Sequence, residues 1–136
     1  MLKRIIAILL TVIAIVSTAI PAYAINIANP CYLYTSSASS TLTISSKTAN
    51  CESFLNGYRS TTTKIKATQY LEKKNGSNWN TVSGGTWSDT QNGSSFSMCN
   101  SMSNLESGTY RLKTVFTVYS GTKSETVSKT SKEVKL

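Results

Sequence analysis

The most informative stretch of the sequence is TYRLKTVFTVY, which spans residues 109–119. Side chains alternate between the two faces of an extended chain, so one face of this stretch carries Tyr110, Leu112, Thr114, Phe116 and Val118. Val115 and Tyr119 lie on the other face, which makes the second half of the stretch apolar on both sides. A strand of this kind is expected in the centre of a sheet.

The residues just before this strand predict a corner. Leu105-x-x-Gly108-x-Tyr110-x-Leu112 resembles the turn and strand start of immunoglobulin-like and fibronectin type III-like sandwiches. The resemblance implies that the Tyr110 hydroxyl bonds back to the preceding corner. Leu112 stands where antibody domains have their second cysteine, so the disulfide that joins the two sheets of those domains is not expected here.

Short alternating segments with turn signals between them surround this region. Leu42 and Ile44 alternate with hydroxyl residues, and a two-residue turn at Ser46-Lys47 would place Ile44 opposite Ala49 and Leu42 opposite Cys51. Cys51 would then face the core. The pattern predicts a hairpin over this part of the chain.

The rest of the chain reads as further strands. A strand over 62–74 has Ile65, Ala67 and Leu71 on one face, with Gln69 as a polar exception, and Asn75-Gly76 predicts a hairpin turn after it. We expect a loop over 84–95 with a short strand around Trp87, a strand with Phe96 and Met98, and an edge strand over 122–130. Six to eight strands predict an all-β fold, a single antiparallel β-sandwich of immunoglobulin-like type.

The N-terminal 24 residues read as a signal peptide. Lys3 and Arg4 precede an apolar run over 5–16, and Ala22-Tyr23-Ala24 has the small-x-small pattern of a cleavage site. A membrane anchor is the competing interpretation, but the apolar run falls short of the ~20 residues that a spanning helix needs. We therefore expect residues 1–24 to be removed, residues 25–136 to form the sandwich domain, and the product to be secreted without a stable membrane anchor.

The three cysteines, Cys31, Cys51 and Cys99, stay in the processed chain. Export permits a disulfide, and any one of the three possible pairings leaves one thiol over, which would allow a covalent dimer. Alternatively, Cys51 is a small buried apolar residue. The cysteines lie 20 and 48 residues apart and the chain has no His, so neither a zinc site nor another metal site is expected.

Composition argues against catalysis. The chain has 14 Lys+Arg and 6 Asp+Glu but no His, which removes the commonest general base near neutral pH. Glu72, Asp89 and Glu106 are the carboxylates that would have to converge in a glycosidase, and their spacing gives no sign that they do. We predict no catalytic residues and no cofactor.

Two groups of side chains are candidate binding residues. The positive excess lies at Lys64, Lys66, Lys73, Lys74, Arg111, Lys113 and Lys123. Lys64 and Lys66 share one face of their strand, as do Arg111 and Lys113, and if these two strands are neighbours in a sheet, a stripe of these residues would attract anionic polymers. Trp79 and Trp87 are aromatic residues that could stack on sugar rings. A solvated lysine face and ordinary packing of the aromatic rings are the competing explanations.

More widely, the sequence resembles a family of small secreted proteins from Gram-positive bacteria. The resemblance rests on four segments: Ala49-x-Cys51, Leu71-x-Lys73-Lys74-Asn75-Gly76-x-x-Trp79, Gly108-x-Tyr110-Arg111-Leu112-Lys113 and Phe116-x-Val118-Tyr119-Ser120-Gly121. The resemblance implies that the protein is small and secreted, but it implies no activity and no site residues. We expect a secreted, non-enzymatic module that binds a cell-wall polymer, a carbohydrate or a protein, rather than nucleic acid. A small secreted toxin of bacteriocin type is the remaining alternative.

Overall fold

The computed structural model describes residues 31–136, in which all the regular structure is β-strand. The predicted signal peptide lies outside the described residues. The strands are β1 (Thr35–Ser45), β2 (Thr48–Gly57), β3 (Lys64–Asn75), β4 (Asn78–Asn92), β5 (Ser95–Met102), β6 (Thr109–Ser120), β7 (Lys123–Thr130) and β8 (Val134–Lys135). Within residues 31–136 there is no helix long and apolar enough to cross a membrane.

The strands form two antiparallel sheets. One sheet has the order β1-β2-β5, and the other has the order β4-β3-β6-β7 with the short β8 paired to β6. The chain passes from one sheet to the other after β2, after β4 and after β5. This arrangement confirms the predicted all-β, immunoglobulin-like antiparallel β-sandwich. It also confirms that the strand at 109–120 is central and that the last long strand, β7, is an edge.

The β1–β2 hairpin has the predicted register. Ile44 lies opposite Ala49, and Leu42 lies opposite Cys51. Ser46 and Lys47 have φ angles of 49° and 61°, which are the positive values that a two-residue type I′ turn requires at both central positions. Local turn geometry therefore sets the register of the hairpin as far as Ser37 and Asn56, beyond which the register shifts.

The predicted tyrosine corner is present before β6. The Tyr110 hydroxyl donates a hydrogen bond to the Glu106 carbonyl oxygen at 2.7 Å, and the Tyr110 side chain is buried. This bond links the segment that crosses between the sheets to the first residues of the central strand. It positions the start of β6, on which two of the candidate basic residues lie.

A belt of polar side chains divides the core into two apolar clusters. Along β3 the buried inward positions run from Ile65 and Ala67 in one cluster, through Gln69, to Leu71 in the other. Gln69 donates to Ser53 Oγ at 2.7 Å, and Ser53 Oγ lies 2.7 Å from Thr114 Oγ1. These hydrogen bonds cross from one sheet to the other.

The polar belt is completely hydrogen-bonded. Ser40 Oγ lies 2.9 Å from Thr114 Oγ1, and Asn100 donates to the Gln69 side-chain oxygen at 2.9 Å. No buried side-chain nitrogen or oxygen among residues 31–136 lacks a partner. A satisfied buried network of this kind stabilises one relative placement of the two sheets, because sliding them would leave its polar atoms unpaired.

The expected loop over 84–95 is wrong, because β4 continues as a strand to Asn92. A bulge interrupts its pairing with β3: residues 82–85 of β4 stand opposite Leu71 alone. Gly84 has a φ of 76°, and a Cβ on Gly85 would lie 3.1 Å from the Leu71 Cβ. The two glycines that suggested a loop are therefore needed for a bulge within a continuous strand.

The segment before β1 is bound to β7 through one carboxylate. Glu125 accepts hydrogen bonds from the backbone N–H groups of Leu33 and Tyr34 at 2.8 and 2.9 Å, and from the Thr35 hydroxyl at 2.8 Å. The Tyr34 carbonyl in turn accepts from the Thr62 hydroxyl at 2.7 Å. These contacts attach the start of the first strand to the opposite sheet.

Candidate binding surface

The predicted basic residues lie on one surface, the outward side of the sheet β4-β3-β6-β7, which we call the cationic face. Residues 65, 67, 69 and 71 of β3 are buried against the other sheet, so the residues between them point outward. The register of β3, β4 and β6 extends this alternation across the sheet. The cations on the cationic face are Lys64, Lys66, Lys74, Arg111 and Lys113.

The two predicted pairs are on neighbouring strands but at opposite ends of the sheet. β3 and β6 are antiparallel, so Lys66 stands opposite Thr117, whereas Arg111 stands opposite Glu72 and Lys113 opposite Tyr70. The cations form a line rather than a cluster. Ten residues of strand separate Lys64 from Lys74, which is about 33 Å at ~3.3 Å per residue.

Hydroxyl side chains flank this line on both sides. The outward residues of β4 opposite the middle of β3 are Thr86, Ser88 and Thr90. The outward residues of β7 opposite β6 are Ser124, Thr126, Ser128 and Thr130. The cationic face thus combines a central row of positive charges with two borders of hydrogen-bonding groups that can donate to anionic or sugar oxygens.

Trp79 is at the Lys74 end of the cationic face, where two cations lie over its ring. The Arg111 guanidinium is 4.2 Å and the Lys74 ammonium 5.4 Å from the ring centre. Arg111 Nε also donates to Glu72 at 2.6 Å, and Lys74 pairs with Glu133 at 3.4 Å. The indole therefore packs against the side chains of two cations, each of which is also paired with a carboxylate.

Trp87 lies on the inward side of the same sheet. It stands opposite the buried Gln69 and packs, partly buried, against both apolar clusters. The bulge in β4 explains this placement, because it inserts an odd number of extra residues between the two tryptophans and reverses the alternation. The structure does not bring Trp79 and Trp87 together on one surface.

The remaining cations of the predicted stripe differ in their surroundings. The Lys64 ammonium lies 4.3 Å from the centre of the Tyr119 ring. Lys66 is exposed and Lys113 is half-buried, and neither makes an ion pair with a residue in 31–136. These two lysines are the cations on this face with the most freedom to contact a bound anion.

A shallow groove adjoins the Trp79 end of the cationic face, at the tip of the β3–β4 hairpin. Its volume is about 400 Å³, and it is lined by Lys73, Lys74, Asn75, Asn80, Thr81 and Val82. Lys73 pairs with Glu106 at 2.9 Å, which raises the pKa of Lys73 and lowers the pKa of Glu106. The groove is therefore lined by two ammonium groups, each already paired with a glutamate, and by two amides.

The cysteines do not pair in the structure. Cys51 is buried in the core, where burial raises the pKa of its thiol to about 11, whereas Cys31 and Cys99 are exposed. Cys99 stands opposite Glu52, one residue out of step with Cys51, so the two thiols point to opposite sides of their sheet. Of the two interpretations left open by the sequence, the structure places Cys51 as a small buried apolar residue.

The three carboxylates considered for a glycosidase do not converge. Glu72 is bonded to Arg111 on the cationic face, and Glu106 is bonded to Lys73 at the corner before β6. Asp89 accepts from Gln91 on the other side of β4. Among residues 31–136 no group of three or more His, Cys, Asp or Glu side chains is placed to hold a metal ion.

The sequence does not by itself predict the contact of Trp79 with its two cations. Lys74 is one of the positive residues of the predicted excess, and Asn75-Gly76 predicts the hairpin turn that follows it. Pairing Asn75 with Asn78 across that turn puts Lys74 opposite Trp79, so this contact was available from the turn register alone. The approach of Arg111 was not, because it requires knowing that β6 is the next strand beyond β3.

No protein-family model and no curated protein sequence matches the chain. Two solved structures are similar in fold. The solution structure of R. palustris CsgH has 6% identity and a TM-score of 0.40, over 68% of this chain and 87% of that one. The CARDB domain of the Pyrococcus furiosus PF1109 protein, crystallised with di-metal ions, has 12% identity and a TM-score of 0.46, over 81% and 95%.

Both scores are low, so the function of this chain has to be inferred from its own residues. Membership in a family of small secreted proteins from Gram-positive bacteria stays a prediction, as does export itself.

Proposed function

We propose that this chain is a secreted, non-enzymatic module that binds a linear anionic polymer of the cell wall through the cationic face. The observation that carries the proposal is the line of five cations along β3 and β6, with hydroxyl side chains along both borders. One carboxylate, Glu72, lies within the line, is only 8% exposed and is neutralised by Arg111.

The shape of the charge distribution favours a polymer over a small anion. Cations spaced along about 33 Å of strand match repeated negative charges better than a single phosphate. The hydroxyl groups of β4 and β7 can hydrogen-bond to the oxygens between those charges. A polymer lying along the strands would contact both features at once.

The same surface gives less support to the other partners. Two cations lie over Trp79 and Trp87 packs against the core, so no pair of open indole rings is available to stack on a neutral sugar. Stacking rings are also what single-stranded nucleic acid requires of a binding groove. A phosphate-bearing wall polymer can bind through charge and hydrogen bonds, without stacking on aromatic rings.

Cosedimentation with purified bacterial walls tests the binding. We expect the purified chain to be retained on walls that carry their anionic polymers, to be lost from walls chemically stripped of them, and to be released in about 0.5 M salt, where the Debye length falls to a few ångströms. Retention on stripped walls, or retention that salt does not change, would show that the charge argument is wrong.

A matched pair of variants locates the surface. Lys66→Ala/Lys113→Ala removes two unpaired cations of the cationic face and should weaken retention. Arg59→Ala/Lys123→Ala removes the same charge from the β2–β3 loop and from a β7 position on the same side of the strand as the inward-facing Val127, and should leave retention nearly unchanged. Equal losses in the two variants would mean that only the net charge of the chain matters.

Export is tested separately, because a processed chain should reach the medium with Ile25 as its first residue.

A further inference from the structure

Among residues 31–136 the two sheets have four long edge strands, and three of these carry features that hinder pairing with another strand. β7 has charged side chains at Lys123, Glu125 and Lys129. β4 is interrupted by its bulge. On β5, the Gln91 side chain donates to the Ser97 carbonyl at 2.8 Å and accepts from the Ser97 N–H at 3.3 Å, so a side-chain amide occupies that edge. Charges, bulges and covered backbone groups are the usual protections of sheet edges.

The fourth edge, β1, has one register shift, between Thr35 and Ser37, and none of these protections from Ser37 to Ser45. Its eleven residues, TSSASSTLTIS, include no charge and no proline, and on its free side it pairs with no strand among residues 31–136. A long uncharged edge strand presents a row of unpaired N–H and C=O groups, which is a template for another strand.

The turn before β2 determines which backbone groups of β1 are free. Ser45 and Thr48 flank a two-residue turn, so they form a hydrogen-bonded pair, and the bonded pairs then recur at every second residue. Thr43, Thr41 and Ser39 therefore bond to β2. The N–H and C=O groups of Ala38, Ser40, Leu42 and Ile44 point to the free edge.

Along β2, successive residues bond alternately to β1 and to β5. This alternation of backbone hydrogen bonds leaves the N–H and C=O groups of Ser97 on the free side of β5. Gln91 contacts them there, which agrees with this assignment.

We propose that β1 pairs with β1 of a second copy of this chain, antiparallel and symmetric about Ser40, to form a continuous six-stranded sheet. The outward residues of β1 are all Ser or Thr, so Ser39 lies opposite the partner's Thr41 and hydroxyl groups meet hydroxyl groups. The inward residues pair small with large, because Ala38 lies opposite the partner's Leu42. Cross-strand hydroxyl pairs are favourable, and no like charges face each other.

Light scattering combined with gel filtration tests this proposal. We expect the purified chain to be a dimer at micromolar concentration in the presence of a reductant, and a Cys31→Ser/Cys99→Ser variant to be a dimer too. A monomer, including a monomer that pairs only with an extended peptide of another protein, would overturn the proposal. So would a dimer that the reductant dissociates, since that dimer would be a disulfide product.

Charges across the proposed twofold axis give a sharper test. Ser39→Lys/Thr41→Lys places lysines opposite each other and should raise the dimer Kd about tenfold or more. Ser39→Lys/Thr41→Glu places unlike charges opposite each other in the same register and should restore the dimer. Ser95→Lys/Ser101→Lys puts two lysines on the outward side of β5 and serves as the control, with dimerisation unchanged. The far-ultraviolet circular dichroism of all three variants should match that of the parent chain.

Hydrogen exchange distinguishes β1 pairing from any other dimer, and it does so without a variant. The amides of Ala38, Ser40 and Leu42 should be protected in the dimer and should exchange rapidly when it is diluted to monomer. The amides of Ser39, Thr41 and Thr43 should be protected in both states. A dimer in which the first set exchanges freely overturns the proposal.

Discussion

Thr114→Val tests whether the polar belt stabilises the packing of the two sheets. Thr114 is fully buried, and its hydroxyl makes contacts of 2.7 Å to Ser53 and 2.9 Å to Ser40. Valine has nearly the same shape, so the change removes two hydrogen bonds without opening a cavity. At about 1 kcal/mol per bond, the loss is about 2 kcal/mol. Burying a methyl group in place of the hydroxyl returns less than ~0.8 kcal/mol of this.

The former partners of Thr114 are not left without contacts. Ser53 still accepts from Gln69 at 2.7 Å, and Ser40 still reaches the Leu112 carbonyl at 3.3 Å. We therefore expect Thr114→Val to lower the free energy of unfolding by roughly 1 to 2 kcal/mol, which lowers the Tm by about 5 to 10 °C in a domain of this size.

Denaturant titration measures this loss, and a second variant measures the coupling. The slope of the free energy of unfolding against denaturant concentration should not change, because the core stays closed. Ser53→Ala removes the other side of the same contact, so the double variant should be less destabilised than the two single losses added together, by roughly 0.5 kcal/mol or more. A neutral or stabilising Thr114→Val, or strict additivity, would show that the belt does not hold the sheets together.

Three further outcomes follow from single contacts. Tyr110→Phe removes the corner bond to Glu106, whose carbonyl can reach water, so a denaturant titration should show a loss of about 0.5 to 1.5 kcal/mol; no loss would leave the corner without a stabilising role. Glu125→Gln replaces one acceptor oxygen with an amide group, and should cost roughly 1.5 to 3 kcal/mol and speed amide exchange at Leu33 and Tyr34; unchanged exchange would mean that the Glu125 carboxylate does not hold this segment. Alkylation of the folded chain should be fast at Cys99 and very slow at Cys51, and comparable rates would mean that Cys51 is not buried.

Local features of this fold could be predicted from the sequence. The Ser46-Lys47 turn determines the β1–β2 register because a two-residue loop leaves no freedom, and the apolar residues on both faces of residues 115–119 indicate a central strand. The Tyr110 corner is a local contact within a four-residue span. Each of these depends on residues that are close in the chain.

The features that the sequence does not predict depend on contacts between residues that are far apart in the chain. The Gly84-Gly85 pair predicts a loop, yet its neighbours on β3 extend the strand through it. That bulge reverses the face on which Trp87 lies, so spacing alone could not decide whether this ring stacks on sugars or packs in the protein. The basic pairs lie on neighbouring strands, but the antiparallel direction of β6 spreads them into a line, which the sequence spacing does not encode.

If both proposals hold, dimerisation through β1 should strengthen binding of the cationic face to the wall polymer. Antiparallel pairing of identical strands has its twofold axis perpendicular to the sheet, so both copies turn their cationic faces to the same side. One linear polymer could then contact both faces, and the second contact would be intramolecular. Retention on polymer-bearing walls should therefore weaken in Ser39→Lys/Thr41→Lys, although this variant gains two positive charges, and should recover in Ser39→Lys/Thr41→Glu, which gains none. Stronger retention of the doubly basic variant would contradict the effect, because net charge would then outweigh the pairing of two faces.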